Sequence, residues 1–138
     1  MFNAPVLLKS PAALLGATGF LIIGGLIAQQ SFNHTRQTTE SARVMTGGTA
    51  SNAPPLLRRY GCAGCHQIPG IDGADGKVGG SLSDIRKRVY IGGVVTNNSD
   101  NLVQWIVDPQ KFSPRTAMPA TGISEAEARD VAAYLYSR

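Results

Sequence analysis

Two cysteines and a histidine fall within five residues, Cys62-Ala63-Gly64-Cys65-His66. A C-x-x-C-H run reads as a covalent attachment site for a c-type haem. Cysteines at i and i+3 share one face of a helical turn. Both thiols can therefore add to the two vinyl groups along one porphyrin edge, and His66 then carries its imidazole under the iron. Two other chemistries use similar residues. A zinc site takes about four ligands, and His34 is the one remaining Cys or His outside the run. A thioredoxin-like dithiol sits in a βαβ context, and the chain shows no such alternation. The sequence predicts one covalent haem c on Cys62, Cys65 and His66.

The far side of the iron needs a ligand or an open position. The chain has three methionines, Met1, Met45 and Met118. Only Met118 lies in the part of the chain that reads as folded, in the stretch RTAMPATG, where Pro119 stiffens the backbone that follows. Met118 is the candidate sixth ligand, so the expected metal ligands are His66 and Met118. The competing reading is a methionine that fills a gap in the core. His/Met ligation raises a haem potential, suits electron transfer and closes the iron to substrates. An electron carrier with no small-molecule substrate is expected, not an enzyme.

The elements around these residues follow from composition and spacing. The chain has 138 residues, 43% hydrophobic and only 16% charged, against about 25% charged in ordinary soluble domains. A net charge of +4 without a basic run gives no footprint for nucleic acid. Two cysteines exclude a disulfide scaffold. No charge occurs between Lys9 and Arg36, and residues 12–28 are almost wholly apolar. That length is the short end of the about 17–25 residues that cross a bilayer as a helix. Residues 1–28 are expected to be a transmembrane anchor, with a signal peptide as the competing reading. Residues 29–53, rich in Gln, Ser, Thr, Asn and Gly, read as a flexible linker. Residues 54–138 read as the folded domain.

Within that domain the expected class is all-α. Pro54-Pro55 suits the first turn of a short helix leading to Cys62. Residues 81–89 suit a second helix, with Ser81 and Asp84 at cap spacing. Ser99 or Asp100 could cap NLVQWIV, which must stop near Asp108 because Pro109 follows. Ser124 and Glu127 form a capping box before EARDVAAYLY, with Ile123 and Ala128 at staple positions. YIGGVV is the one candidate for strand and is broken by glycines.

The haem motif, Met118-Pro119 and the final EARDVAAYLY helix resemble class I c-type cytochromes of the membrane-anchored monohaem type. The stretch RVYIGGVVTNNSDNLVQWIVDP is similar to the cytochrome c domain of caa3-type oxidase subunit II, whose copper domain has no counterpart here. The resemblance covers about residues 56–138. It implies a helical wrap around haem, with Tyr60 and Gly61 meeting Tyr134 and Leu135 where the first and last helices cross. It implies that Leu82 touches the haem, and that Arg88, Tyr90, Asn97 and Trp105 line it or bond its propionates. A core Trp105 and a solvated Arg88 are the plainer alternatives. The family places a proline carbonyl on the proximal histidine; Gly79-Gly80-Ser81-Leu82 stands there, so Gly80 offers the carbonyl without proline's fixed φ.

Covalent haem attachment in bacteria occurs outside the cytoplasm. The expected location is therefore the cytoplasmic membrane, single-pass, with the haem domain in the periplasm. The resemblance implies partners in the respiratory chain, a terminal haem-copper oxidase as acceptor and a quinol-oxidising complex as donor. Arg58, Arg59, Arg86, Lys87 and Lys111 could form a docking face for an acidic partner, or a merely solvated one. Competing functions are a haem enzyme or gas sensor with a labile sixth ligand, and an electron-accepting subunit of a periplasmic dehydrogenase.

Overall fold

The computed structural model describes residues 11–138, with side chains described from residue 19 onward. The backbone divides into two compact units, one ending at Arg36 and the other spanning Gln37–Arg138. The described residues of the first are helical. Helix α1 runs Pro11–Thr46, and Phe20, Leu21, Ile22, Ile23, Leu26, Ile27 and Phe32 are exposed along it. Among the described residues no helix is long and apolar enough to cross a membrane. The expected span at 1–28 lies partly outside those residues.

The second unit is mostly helical. Helices α2 (Ala53–Arg59), α3 (Cys62–Cys65), α4 (Ser99–Val107) and α5 (Glu125–Tyr136) surround one core. Helix α5 is the hub, because both α2 and α4 pack against it. Its apolar positions Ala128, Val131, Ala132 and Leu135 are buried, as helical spacing requires. The capping box forms: Ser124 Oγ accepts from Glu127 N–H at 3.3 Å, and Glu127 Oε2 accepts from Ser124 N–H at 3.2 Å. Ile123 and Ala128 are both buried. Helix α4 ends at Asp108 before Pro109, as expected, but its N-cap is Asn98, whose side chain accepts from Asn101 N–H at 2.8 Å. Pro54 and Pro55 occupy the first turn of α2.

Three expectations are corrected. Residues 29–53 are not a flexible linker. Residues 29–46 lie in α1, a 3-10 turn covers Ala50–Asn52, and Ala42, Thr46 and Ala53 are completely buried. The polar composition hid a small-residue face, Ala42 and Thr46 at i and i+4, and partners supplied from α5. Thr46 O accepts from Arg129 Nη1 at 3.0 Å, Asp130 Oδ1 accepts from Thr49 N–H at 2.6 Å, and Asp130 Oδ2 accepts from Asn52 Nδ2 at 3.0 Å. Gly48 lies directly on the α5 backbone, where an added Cβ would overlap the Arg129 carbonyl and lie 2.5 Å from Asp130 N.

The helix expected over 81–89 shrinks to a 3-10 turn, Ile85–Lys87. Asp84 adopts a left-handed φ of 53°, and Ser81 Oγ accepts from Ser83 N–H at 3.2 Å. Such local side-chain bonding competes with helix formation. The YIGGVV segment, set aside because of its glycines, forms the hairpin β1 (Tyr90–Ile91) and β2 (Val95–Thr96), with Tyr90 opposite Thr96. The glycines make it possible. Gly92 and Gly93 both have positive φ, and Val94 N–H reaches Ile91 O at 3.1 Å, the geometry of a tight hairpin turn. The all-α class therefore holds apart from this one small hairpin.

Across the α2–α5 junction, Tyr60 OH donates to Glu127 Oε2 at 2.9 Å, and Arg59 pairs with Glu127 at 3.3 Å. Hydrogen bonds from Ser124, then from Tyr60, hold the Glu127 carboxyl below its ordinary value of 4.5. The lowered pKa means that its contribution is full above 4.5 and is lost as pH falls through the depressed value. The urea midpoint gap between wild type and Glu127→Gln should be widest at neutral pH and close in acid; a gap constant with pH would contradict the assignment. Gly48→Ala should destabilise the domain by about 1–3 kcal/mol, the range for overpacking a filled site, read from denaturant unfolding of the full chain.

Candidate functional site

Helix α3 is one turn long and carries the motif. Gly61 enters it at φ 71°, and His66 leaves it in extended conformation, with His66 N–H bonded to Cys62 O at 3.0 Å. The turn places Cys62 and Cys65 three residues apart on the wall of one cavity, both half-buried. Burial pushes the Cys62 thiol above its ordinary value. The cavity is about 350 Å³. Leu57 of α2, Leu102 and Ile106 of α4, and Val131 and Leu135 of α5 line it, so three helices supply an apolar slot.

His66 is fixed from two directions. Its Nδ1 donates to Gly80 O at 2.7 Å. A carbonyl only accepts, so Nδ1 carries the proton and Nε2 keeps its lone pair for a metal. Gly79 lies against the ring: a Cβ there would overlap Cε1 and stand 2.6 Å from Nδ1. The Gly80 carbonyl is thus in place without proline. The loop that delivers it is closed by Gly79 N–H to Cys65 O and Leu82 N–H to Gln67 O, each at 2.8 Å.

Met118 lines the same cavity, half-buried and packed against the core. Its sulfur accepts from Trp105 Nε1 at 3.1 Å, and its carbonyl accepts from Gln110 Nε2 at 2.8 Å. Leu82, Arg88 and Trp105 line the cavity with Cys62, Cys65, His66 and Met118, whereas Tyr90 and Asn97, also expected there, do not, and Tyr90 is exposed. Two of the polar groups have protein partners. The Trp105 N–H is directed at the Met118 sulfur. Arg88 Nη2 donates to the carbonyls of Ser81 and, at 3.0 Å, Ser83. Asn97 Nδ2 instead donates to the Ile85 and Arg88 carbonyls at 2.6 and 2.8 Å, and Asn97 Oδ1 accepts from Tyr136 OH at 2.6 Å. Gln110 had no motif or spacing to mark it.

Arg59 and Lys87, two of the five cations considered for docking, are paired with Glu127 and Asp84. Arg58 donates to Asp72 O at 3.1 Å and Lys111 to Gln104 Oε1 at 3.4 Å. Among the described residues no three His, Cys, Asp or Glu side chains converge on a common point. The donor set suits a haem better than a bare ion. Two thiols stand on one wall, an imidazole presents a free Nε2, and a thioether and an apolar slot complete it.

Comparison with known proteins agrees with this geometry. Residues 50–138 match the family described as Cytochrome c. Over 89 residues, 64% of this chain and 25% of the relative, it is 33% identical to the cytochrome c oxidase subunit 2 of Alkalihalophilus pseudofirmus. Over 80 residues, 56% of this chain and 22% of the relative, it is 29% identical to the cytochrome c oxidase subunit 2 of Bacillus sp. strain PS3. The chain thus spans about a quarter of the length of these relatives. No solved structure gives a significant match. Membership of the matched family implies a covalent haem c and transfer of electrons through it. With the match covering most of the chain and the motif, the cavity and the thioether in one place, this chain belongs to the cytochrome c family.

Proposed function

We propose that the chain is a one-electron carrier with a single covalent haem c held by Cys62 and Cys65 and ligated by His66 and Met118. The carrying observation is that both thiols, the imidazole and the thioether line one apolar cavity. Haem, when bound, supplies an iron that alternates between ferrous and ferric. The chain's own residues do the rest. Cys62 and Cys65 fix one edge of the group. The Nδ1 bond to Gly80 holds the His66 ring and raises its basicity. Met118 favours the reduced state and keeps the distal side closed. Leu57, Leu102, Ile106 and Leu135 exclude water, which also limits how much the surroundings reorganise when charge changes.

In this reading residues 1–28 form a single membrane anchor, residues 54–138 form the haem domain, and that domain faces the periplasm. The apolar, charge-free stretch at 12–28 and the exposed Phe20, Leu21, Ile22, Ile23, Leu26 and Ile27 support the anchor. An anchor raises the local concentration of the domain at a neighbouring complex. The similarity to two oxidase subunits supports a terminal haem-copper oxidase as acceptor, with a quinol-oxidising complex as donor.

Met118→Ala in the haem-loaded chain should abolish the sulfur-to-iron charge-transfer absorption. It should also lower the midpoint potential and admit imidazole or carbon monoxide. An unchanged spectrum and potential would remove Met118 as ligand and favour a haem enzyme or sensor. The full chain should stay with the membrane pellet after an alkaline carbonate wash, and removal of residues 1–28 should release it; release of the full chain would overturn the anchor.

A further inference from the structure

We propose that Asn97 and Tyr136 are positioning residues for the proximal side: they tie the loop that carries the Gly80 carbonyl to helix α5, and so keep that carbonyl on His66. This rests on the assignment of His66 as an iron ligand. The observation is a run of hydrogen bonds joined by short covalent links. Tyr136 OH donates to Asn97 Oδ1 at 2.6 Å. Asn97 Nδ2 donates to Ile85 O at 2.6 Å and to Arg88 O at 2.8 Å. Arg88 Nη2 in turn donates to the carbonyls of Ser81 and Ser83. Ser81 follows Gly80 directly, and Gly80 O accepts from His66 Nδ1 at 2.7 Å. Main-chain bonds from Gly79 and Leu82 set the inner end of this loop on the haem motif. The Asn97 link secures its outer end.

The residue types fit these places. An asparagine side chain offers two N–H donors and one carbonyl acceptor. Asn97 donates to two carbonyls and accepts one hydroxyl, and its backbone N–H adds a bond to Val89 O at 2.9 Å. Tyr136 is buried on α5. Burial pushes its hydroxyl above the ordinary value, so it stays a neutral donor. Ile85 and Arg88, whose carbonyls Asn97 gathers, both line the cavity, whereas Asn97 and Tyr136 do not. Their effect must therefore pass through other residues. The loop has little else to brace it there. Its one regular piece is the 3-10 turn Ile85–Lys87, entered by Asp84 at φ 53°, a conformation that persists where the surroundings enforce it.

A carbonyl that draws on the Nδ1 proton makes Nε2 a stronger donor, which favours ferric iron. Loosening the loop weakens that pull, raises the potential and opens the Nδ1 proton to water more often. One net hydrogen bond of about 1 kcal/mol corresponds to roughly a fivefold change in the open population. A merely structural role makes a different prediction. Protection of His66 would then fall with overall stability, as for any bond lost from α5, and the potential would not move. Glu127 supplies the comparison, since its bonds run from α5 to Ser124, Tyr60 and Arg59.

The test uses the haem-loaded full chain in the ferrous state with Tyr136→Phe, Asn97→Leu and, for comparison, Glu127→Gln. Tyr136→Phe removes one oxygen and keeps the ring, and Asn97→Leu keeps the side-chain size. Solvent exchange of His66 Nδ1–H is followed by NMR, and midpoint potential is measured for each. The expected result for Tyr136→Phe is about fivefold faster exchange and a higher potential. Asn97→Leu should show larger changes of the same sign. Glu127→Gln should show a smaller acceleration at wild-type potential. Equal acceleration in Glu127→Gln and Tyr136→Phe, or wild-type exchange and potential in the first two variants, would overturn the proposal. If a variant fails to take up haem, the wild-type chain still decides. Slow exchange of both Asn97 side-chain amide protons supports the bonds, and fast exchange of either overturns the proposal. If the His66 ring protons lack the upfield shift that an iron-bound ring takes from the porphyrin ring current, the ligand assignment has failed instead, whatever the variants do.

Discussion

The hydrogen bond from His66 Nδ1 to the Gly80 carbonyl is the constraint around which the haem domain is arranged. It dictates which nitrogen is free, and so which way the cavity must open. Fourteen residues separate the partners, and the intervening loop has little regular structure of its own. Backbone bonds hold it instead: Ile68 N–H to Ala74 O, Gly79 N–H to Cys65 O and Leu82 N–H to Gln67 O. Gly79 and Gly76 let that loop press against the imidazole and the α3 backbone, where any side chain would collide. The carbonyl that orients the ring is therefore placed by main-chain pairing, and a proline at position 80 is not needed to present it.

On the opposite flank the chain solves a different problem. A domain of this size has a small core of its own. The fold compensates at α5. That helix receives α2 and α4 on its apolar face, and its polar residues Arg129 and Asp130 take up the backbone and side-chain groups of residues 46–52. Glu127 does the same for Tyr60 and Arg59 while closing its own helix cap. One helix thus secures the two segments that precede the cysteines, with bonds that would otherwise be left to water.

What the sequence disclosed and what it concealed divide along a physical line. The cysteines, His66 and the Ser124–Glu127 box were legible because each depends on spacing within one turn of chain. Met118 was legible as a residue to look for near the cysteines, because it is the one methionine in residues 54–138, and it does line the cavity. The Gly80 carbonyl came through family resemblance. The structured 37–53 segment was hidden because its partners lie on α5, about eighty residues away. The hairpin at 90–96 was hidden because glycine weakens a strand but enables a turn, and the choice depends on Trp105 needing the space above Gly92. Trp105 was recognised as a lining residue, but the direction of its one donor is a matter of packing. Gln110 carried no signal at all, because any polar side chain after a helix looks solvated until its acceptor is known.

The bonds from Asp130 to Thr49 and Asn52 span 81 and 78 residues, and that span governs the order in which the domain can assemble. Contacts this remote in sequence cost loop-closure entropy before they return any stability, and a fold that relies on them acquires its final form late. Helix α5 also follows α2, α3 and α4 in the chain and so leaves a ribosome after them. Until it arrives, the α2 and α4 walls lack their common support and the segment bearing Cys62 and Cys65 is not enclosed. The timing of chain emergence and the window in which those thiols stay accessible are thus set by the same long-range contact.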